Sequence, residues 1–298
     1  SGDEWTQSFF VGAMSHARRA FHVAAYASWE SGGFTEAERH MRDAERVSQG
    51  VDEAERVQAM AEAARCLTML ERDLDHAHAL ALEAAVRGRH RAIENPATFD
   101  ALGLLALHRG LFDEARQRFE EAHALARIAR NHHDEFSALE HLVMVELDVG
   151  DLPAARTRAR ELATFGERFR EGSEAPFARA LVALTDRADD ALDRALVELT
   201  EADAKHRLVY VLTRSAELDA RETRWDTVRA RASRALGIAE LLGRSSELLL
   251  SRVLLARAAR AMGDVDEEIR QRRAMASLVL TTVAAKVRRN LEELDGAS

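Results

Sequence analysis

Cysteine, proline, lysine and aromatic residues are scarce in this chain of 298 residues. The single cysteine, Cys66, excludes an internal disulfide, and three prolines are too few for an all-β protein full of turns. No apolar run approaches the roughly 18 residues that a membrane-spanning helix needs. The abundant residues are Ala, Leu, Glu and Arg, which are strong helix formers. The composition therefore predicts an all-α fold.

Charge is unevenly distributed along the chain. The formal net charge is −9, which argues against general nucleic-acid binding. Residues 1–204 carry a net charge of −14 and residues 205–298 a net charge of +5. Arginine makes bidentate contacts with carboxylates and phosphates, so a basic C-terminal surface would accept an acidic peptide or a phosphate group. The alternative is that these charges balance one another within the protein or are solvated.

A short motif recurs with a period of about 38 residues, which indicates a repeat architecture. Its clearest copies are GLFDEA at 110–115 and GDLPAA at 150–155, with others at 32–37 and 263–268 and weaker ones at 72–77 and 223–228. A poor copy falls near 188–191. Each copy joins a turn to an apolar residue and to a helix start, where acidic residues suit the helix dipole. Aligned on their last residues, the copies mark positions 37, 77, 115, 155, 191, 228 and 268.

The residues around each motif read as two amphipathic helices. Phe99, Leu102, Gly103 and Ala106 share one helical face before the third motif, and Phe119 belongs to the matching face after it. Small residues let the two helices approach closely, and Phe119 fills the gap between them. We predict seven hairpins in one continuous domain over 1–298, with a C-terminal capping helix to 295. The predicted hairpins span 16–50, 54–90, 96–131, 134–170, 174–203, 206–243 and 246–285.

This pattern of small and large residues resembles the tetratricopeptide repeat family. The resemblance implies a right-handed superhelix whose concave groove is lined by the first helix of each pair. The period exceeds the family's usual 34 residues and resembles the repeat regions of bacterial signal-responsive regulators, such as the maltose-regulator-like repeats and quorum-peptide receptors. The family's chaperone-binding members hold a terminal carboxylate with Lys and Asn. Here those positions carry His22, Tyr26, Asp100 and Leu104, so that activity is not expected.

The resemblance also implies which side chains face the groove; for each, the alternative is packing against the next hairpin. Aromatic, soft apolar and acidic residues in the first four hairpins suit a peptide with apolar anchors and basic residues. They are His22, Tyr26, Trp29, Glu62, Cys66, Met69, Asp100, Leu104, His108, Glu140, Met144 and Leu147. Hairpins six and seven would present Tyr210, Thr213, Arg214, Glu217, Arg221, Arg257 and Arg260.

Motifs for catalysis are missing from the sequence. It contains no G-x-G-x-x-G, H-E-x-x-H, G-x-S-x-G or C-x-x-C pattern, so we expect no enzyme activity and no cofactor. We interpret Cys66 as a packing residue. Eleven of the twelve histidines precede residue 142, but their spacing favours solvated or capping side chains over a metal site.

These observations favour a scaffold that binds a protein or peptide. We expect the sensor or interaction domain of a larger, cytoplasmic bacterial regulator. One alternative is a receptor for a small molecule or signal peptide; another is a dimerisation scaffold. The apolar stripe at the C-terminal end fits either a capping helix or a homodimer seam. Its residues are Leu280, Val283, Val287, Leu291 and Leu294.

Overall fold

The regular structure of the described residues is entirely helical, which confirms the all-α prediction. The computed structural model describes residues 14–25, 28, 34–48, 52–169, 172–276, 278 and 283–296. Within these ranges, no helix is long and apolar enough to cross a bilayer. Helical residues 14–25 form α1. The other helices are α2 (Phe34–Ser48), α3 (Glu53–Met69), α4 (Leu74–Arg91), α5 (Pro96–Arg109), α6 (Phe112–Ala129), α7 (His132–Val149), α8 (Leu152–Gly166), α9 (Glu174–Asp186), α10 (Asp189–Glu201), α11 (Lys205–Arg221), α12 (Trp225–Leu242), α13 (Ser245–Met262), α14 (Val265–Ala276) and α15 (Ala285–Gly296).

Successive helices pair in the order of a helical repeat. Helices α3 and α4, α9 and α10, α11 and α12, and α13 and α14 pack as hairpins. Helix α11 also packs on α9 and α13, so that first helices contact first helices. From α9 to α13, each hairpin therefore covers part of its apolar surface with the next one. The chain forms two compact units, described below, and in each unit we call the odd-numbered helices up to α13 its first-helix layer.

The contacts divide the chain into two compact units. Unit 1 holds the described residues up to Leu107 together with Leu111–Val145. Unit 2 holds His108–Gly110 and the described residues from Glu146 onward. Each unit has its own buried side chains, such as Phe119 and Phe136 in unit 1 and Phe177 in unit 2. The single continuous domain over 1–298 stays a prediction.

The recurring glycines reverse the chain between the helices of a hairpin. Gly110, Gly150 and Gly263 have φ angles of 79°, 88° and 76°, in the left-handed region that glycine adopts without a steric penalty. In the weaker sixth copy, Thr223 stands at this position with φ of 58°. The backbone turn is therefore kept where its glycine is missing.

The fifth motif is displaced by one residue from its predicted place. Arg187 adopts the left-handed conformation there, with φ of 57°, and α10 begins at Asp189. Leu192, which is 2% exposed, consequently fills the core position that Ala115 fills in the third motif. The predicted alignment on Ala191 is wrong because this turn has no glycine to mark it in the sequence.

The predicted close approach of α5 and α6 is confirmed. A Cβ atom at Gly103 would lie 2.5 Å from Cε1 and 2.6 Å from Cδ1 of Phe119. Phe119 is fully buried and packs with Ala106, Ala115 and residues of α7. The phenyl ring therefore occupies the space that any larger residue at position 103 would need.

Candidate functional site: the first-helix layer

Buried ion pairs connect the first helices of unit 1. Arg65 of α3 donates from Nη1 to Oδ1 of Asp134 at 2.6 Å, and from Nη2 to Oε2 of Glu62 at 2.5 Å. Asp134 lies on α7, so Arg65 reaches a helix two hairpins further along the chain. The side chain of Ser15 on α1 donates to Glu55 on α3 at 2.5 Å. These contacts hold the layer together through polar groups as well as apolar packing.

Asp100 and His141 form a second buried pair, between α5 and α7. Nδ1 of His141 lies 2.7 Å from Oδ1 of Asp100, and the two residues are only 4% and 2% exposed. Burial lowers the pKa of His141, but the charge of Asp100 and its hydrogen bond raise it more, so the net pKa lies above the ordinary 6.5. The prediction of a solvated or capping histidine is wrong for His141, because α5 supplies a carboxylate partner inside the core.

This pair makes the stability of unit 1 depend on pH. Since folding raises the pKa of His141, its stabilising contribution is complete below pH 6.5 and is lost as the pH rises through the folded-state pKa. Relative to wild type, we expect Asp100→Asn to lower the free energy of unfolding most at about pH 5.5 and progressively less toward about pH 8.5. Urea unfolding of the wild type and variant across this range measures the difference.

Asp113→Asn is the matched control, because the side chain of Asp113 is fully exposed. Its stability difference from wild type should not follow the same pH trend. His206, whose pKa is lowered well below 6.5 by burial and by Arg207 and Arg244, contributes the opposite slope. That contribution cancels when each variant is compared with wild type. A difference for Asp100→Asn that is constant with pH would contradict the prediction.

The predicted groove residues of unit 1 fall into two groups. Glu62, Cys66, Asp100 and Glu140 are buried. A second group is half-buried: His22, Met69, Leu104 and Met144. Tyr26 and Trp29 lie outside the described residues. In unit 2, His108 is half-buried and Leu147 is buried.

Negative charge predominates inside the layer of unit 1. Four carboxylates, those of Glu62, Asp100, Asp134 and Glu140, lie there with Arg65 and His141 as neighbouring cations. Soft apolar side chains are more exposed than these charges. The layer therefore combines an acidic interior with partly accessible apolar groups.

Cys66 is a buried thiol in this layer. Burial raises its pKa to about 12, so the thiolate is scarce at neutral pH. We expect native Cys66 to react with an aromatic disulfide reagent roughly a hundredfold more slowly than the unfolded chain does. The absorbance of the aromatic thiolate that the reagent releases measures the rates of both reactions. Equal rates in the native and urea-unfolded chains would contradict the burial of this thiol.

An open cleft of about 650 Å³ also lies in unit 1, between α1, the start of α3 and residues 93–95. Its lining includes Arg18, Arg19 and His22. Both arginines contact Glu55, which belongs to the same lining, at 3.4 and 3.2 Å. The carboxylate of Glu55 therefore pairs with both arginines of the cleft.

Helix α15 contacts three of the predicted groove residues of unit 2: Glu217, Arg257 and Arg260. Oε2 of Glu217 accepts a hydrogen bond from Nη1 of Arg214 at 2.7 Å, and Oε1 accepts one from Nδ2 of Asn290 at 3.0 Å. Nζ of Lys286 lies 3.7 Å from the same carboxylate. Burial alone would raise the pKa of Glu217, but Lys286 and Arg214 bring it down to about 2. Arg214 also pairs with Asp148.

The predicted groove arginines of α13 also contact α15. Nη1 of Arg257 lies 3.3 Å from Oε2 of Glu293, and Nη1 of Arg260 donates to the carbonyl oxygen of Leu294 at 2.9 Å. Arg221, on α11, is exposed. Sequence reasoning missed Lys286 and Asn290 as partners of this surface; the only signal was the apolar stripe beside them.

That stripe is buried within the chain itself. Val283, Val287 and Leu294 are at most 1% exposed and belong to the same apolar cluster as Leu250 and Leu254 of α13. Leu291 packs against this cluster and is partly buried, while Leu280 lies outside the described residues. In a single chain, the stripe therefore acts as the cap that the first of the two interpretations predicts.

A second buried network, which sequence reasoning also missed, lies around Asp219 of α11. Asp219 is fully buried and its carboxylate contacts Arg187, Arg224 and Arg231. The distance from Nη1 of Arg231 to Oδ2 is 2.6 Å, and that from Nη2 of Arg187 to Oδ1 is 3.2 Å. Arg224 also pairs with Asp189, as Arg214 does with Asp148, so acidic residues before position 205 take up part of the basic excess that follows it. Across the described residues, no three His, Cys, Asp or Glu side chains converge as a possible metal site.

Comparisons with known proteins leave the function of this chain open. A crystal structure of a tetratricopeptide repeat protein from Parabacteroides merdae is similar to this chain, with a TM-score of 0.47 and 11% sequence identity. The similarity covers 94% of this chain and 99% of the other. No family model and no curated protein matches the sequence. A likeness at this level does not establish membership of a family.

Proposed function

We propose that this chain is a non-catalytic scaffold that binds a basic peptide segment with apolar anchors on the first-helix layer of unit 1. The observation that carries the proposal is the pairing of an acidic interior with half-buried Met69, Leu104 and Met144. Methionine and leucine adapt to varied apolar anchors, and the carboxylates attract positive charge. We further propose that this binding serves signal reception in a cytoplasmic bacterial regulator, as the long repeat period favours.

Two synthetic peptides of opposite charge test the binding proposal. Both have about 15 residues with leucine at helical spacing; one carries lysine and arginine between the leucines and the other carries glutamate. In fluorescence anisotropy, the basic peptide should bind about tenfold more tightly, and added salt should weaken its binding. Equal affinities for the two peptides would overturn the proposal.

A substitution in the layer locates the binding. Met144→Lys removes a soft apolar contact and adds a repelling charge, so it should weaken binding of the basic peptide about tenfold. Leu241→Lys is the matched control, because Leu241 lies on α12 of unit 2 and is 71% exposed. Circular dichroism verifies that both variants stay helical. If both substitutions weaken binding equally, the layer of unit 1 is not the site.

A further inference from the structure

Helix α15 lies across first helices of unit 2 in the manner of a bound helix. It packs on α13, and the side chains that it buries form one stripe along its length. Val287 and Leu294 enter the apolar cluster of α13, and Leu291 packs beside them. These three residues are spaced at i, i+4 and i+7, the pattern with which an amphipathic helix fills an apolar groove.

The polar contacts of α15 differ between its two ends. Near its start, Lys286 and Asn290 both reach Glu217 on α11. Toward its end, acceptors of α15 meet cations: Glu293 contacts Arg257 on α13, and Asp295 contacts Arg272 on α14 at 2.8 Å. This order of charges defines both the position and the direction of a helix on this surface.

We propose that the α11–α13 surface is a helix-binding site, that α15 is its internal ligand, and that a partner's amphipathic helix of the same chemistry takes its place. Such a helix has apolar residues at i, i+4 and i+7, a cation and an amide facing Glu217, and carboxylates toward Arg257 and Arg272. This site belongs to unit 2, so the test of this proposal is independent of peptide binding by unit 1.

Two properties of α15 make its displacement feasible. It has 12 residues, and isolated helices of this length are marginal in water, so its helicity depends on the surface beneath it. It also carries the half-buried Lys286, whose pKa is lowered to about 7 by burial and by Arg214, against the opposing effect of Glu217. A partner helix with its cation closer to solvent would escape that desolvation penalty and compete well.

The test uses the full chain and a fluorescein-labelled peptide with the sequence of residues 283–296. The variant Val287→Asp with Leu294→Asp places two charges in the apolar cluster and should release α15. This opened chain should bind the peptide about tenfold more tightly than wild type does, because the site is then free. Adding Glu217→Lys to it should weaken peptide binding by about tenfold through repulsion of the peptide lysine.

Val197→Asp with Leu241→Asp is the matched control, since these residues are 53% and 71% exposed on the second helices of unit 2. This control should bind the peptide as weakly as wild type. Equal binding by all chains, or no binding by an opened chain that stays helical, would overturn the proposal. So would a wild-type dimer in sedimentation that the opened variant loses, because α15 would then be exchanged between copies.

Hydrogen exchange of the wild type provides a test that needs no substitution. Excess unlabelled peptide should displace α15 and speed amide exchange in the chain's own residues 285–296 about tenfold, while α13 stays protected. Unchanged exchange in α15 at saturating peptide would show that the surface does not release its internal ligand, which contradicts the proposal.

Discussion

Replacing Asp219 by alanine is expected to lower the free energy of unfolding by about 3–5 kcal/mol, because it removes the fully buried carboxylate that three arginines contact. Asp219 is fully buried, and the side chain of Arg231 beside it is 9% exposed. Without the carboxylate, Arg231 keeps only longer contacts, of 3.5 and 3.6 Å, to Asp189 and Asp193. Urea unfolding followed by circular dichroism measures the loss.

The position of the damage is also predicted. Asp219 joins the end of α11 to Arg187 after α9 and to Arg224 and Arg231 at α12, so hydrogen exchange should accelerate in these neighbouring helices first. Asp226→Ala is the control: its side chain is 86% exposed and pairs with an exposed arginine, so it should cost at most about 1 kcal/mol. If the two alanine variants were equally stable, the network would not support unit 2.

Gly103→Ala is expected to destabilise unit 1 by about 1–3 kcal/mol, although alanine is the better helix former. The added Cβ would lie 2.5 Å from the ring of Phe119, so this fully buried ring or the backbone of α5 would have to shift. Gly103→Val should cost more, since it adds two further carbons at the same place. Thermal and urea unfolding of the variants measure both effects.

A second substitution separates crowding from other causes. Phe119→Leu shortens the side chain that opposes position 103, so Gly103→Ala should cost less in that background, with a coupling energy of about 1 kcal/mol or more. Gly237→Ala on α12 is the control: its Cβ would meet no atom within 4 Å, and the change should stabilise by about 0.5–1 kcal/mol. A coupling energy near zero would refute the steric explanation.

The first helices and their polar side chains were within reach of sequence reasoning. Helical spacing assigns Glu62, Asp100 and Glu140 to one layer, because a helix repeats its faces every three to four residues. Their pairing was not predictable. Asp100 meets His141, 41 positions later, and Arg65 meets Asp134, 69 positions later. Such contacts depend on how closely helices of different hairpins approach one another, which local periodicity does not encode.

The C-terminal region shows most clearly which features local spacing predicts and which depend on contacts between distant residues. Spacing alone predicted an apolar stripe through Val287 and Leu294, but it left open whether that stripe caps the array or joins two chains. Tertiary structure decided that it packs on α13 of the same chain, with Lys286 and Asn290 at Glu217, 73 positions before Asn290. The sequence by itself determined the helices, their hairpin order and the apolar faces, since these follow from periodicity and turn residues. Which residues cover each apolar face was decided by the tertiary structure, because it depends on contacts between residues far apart in the chain.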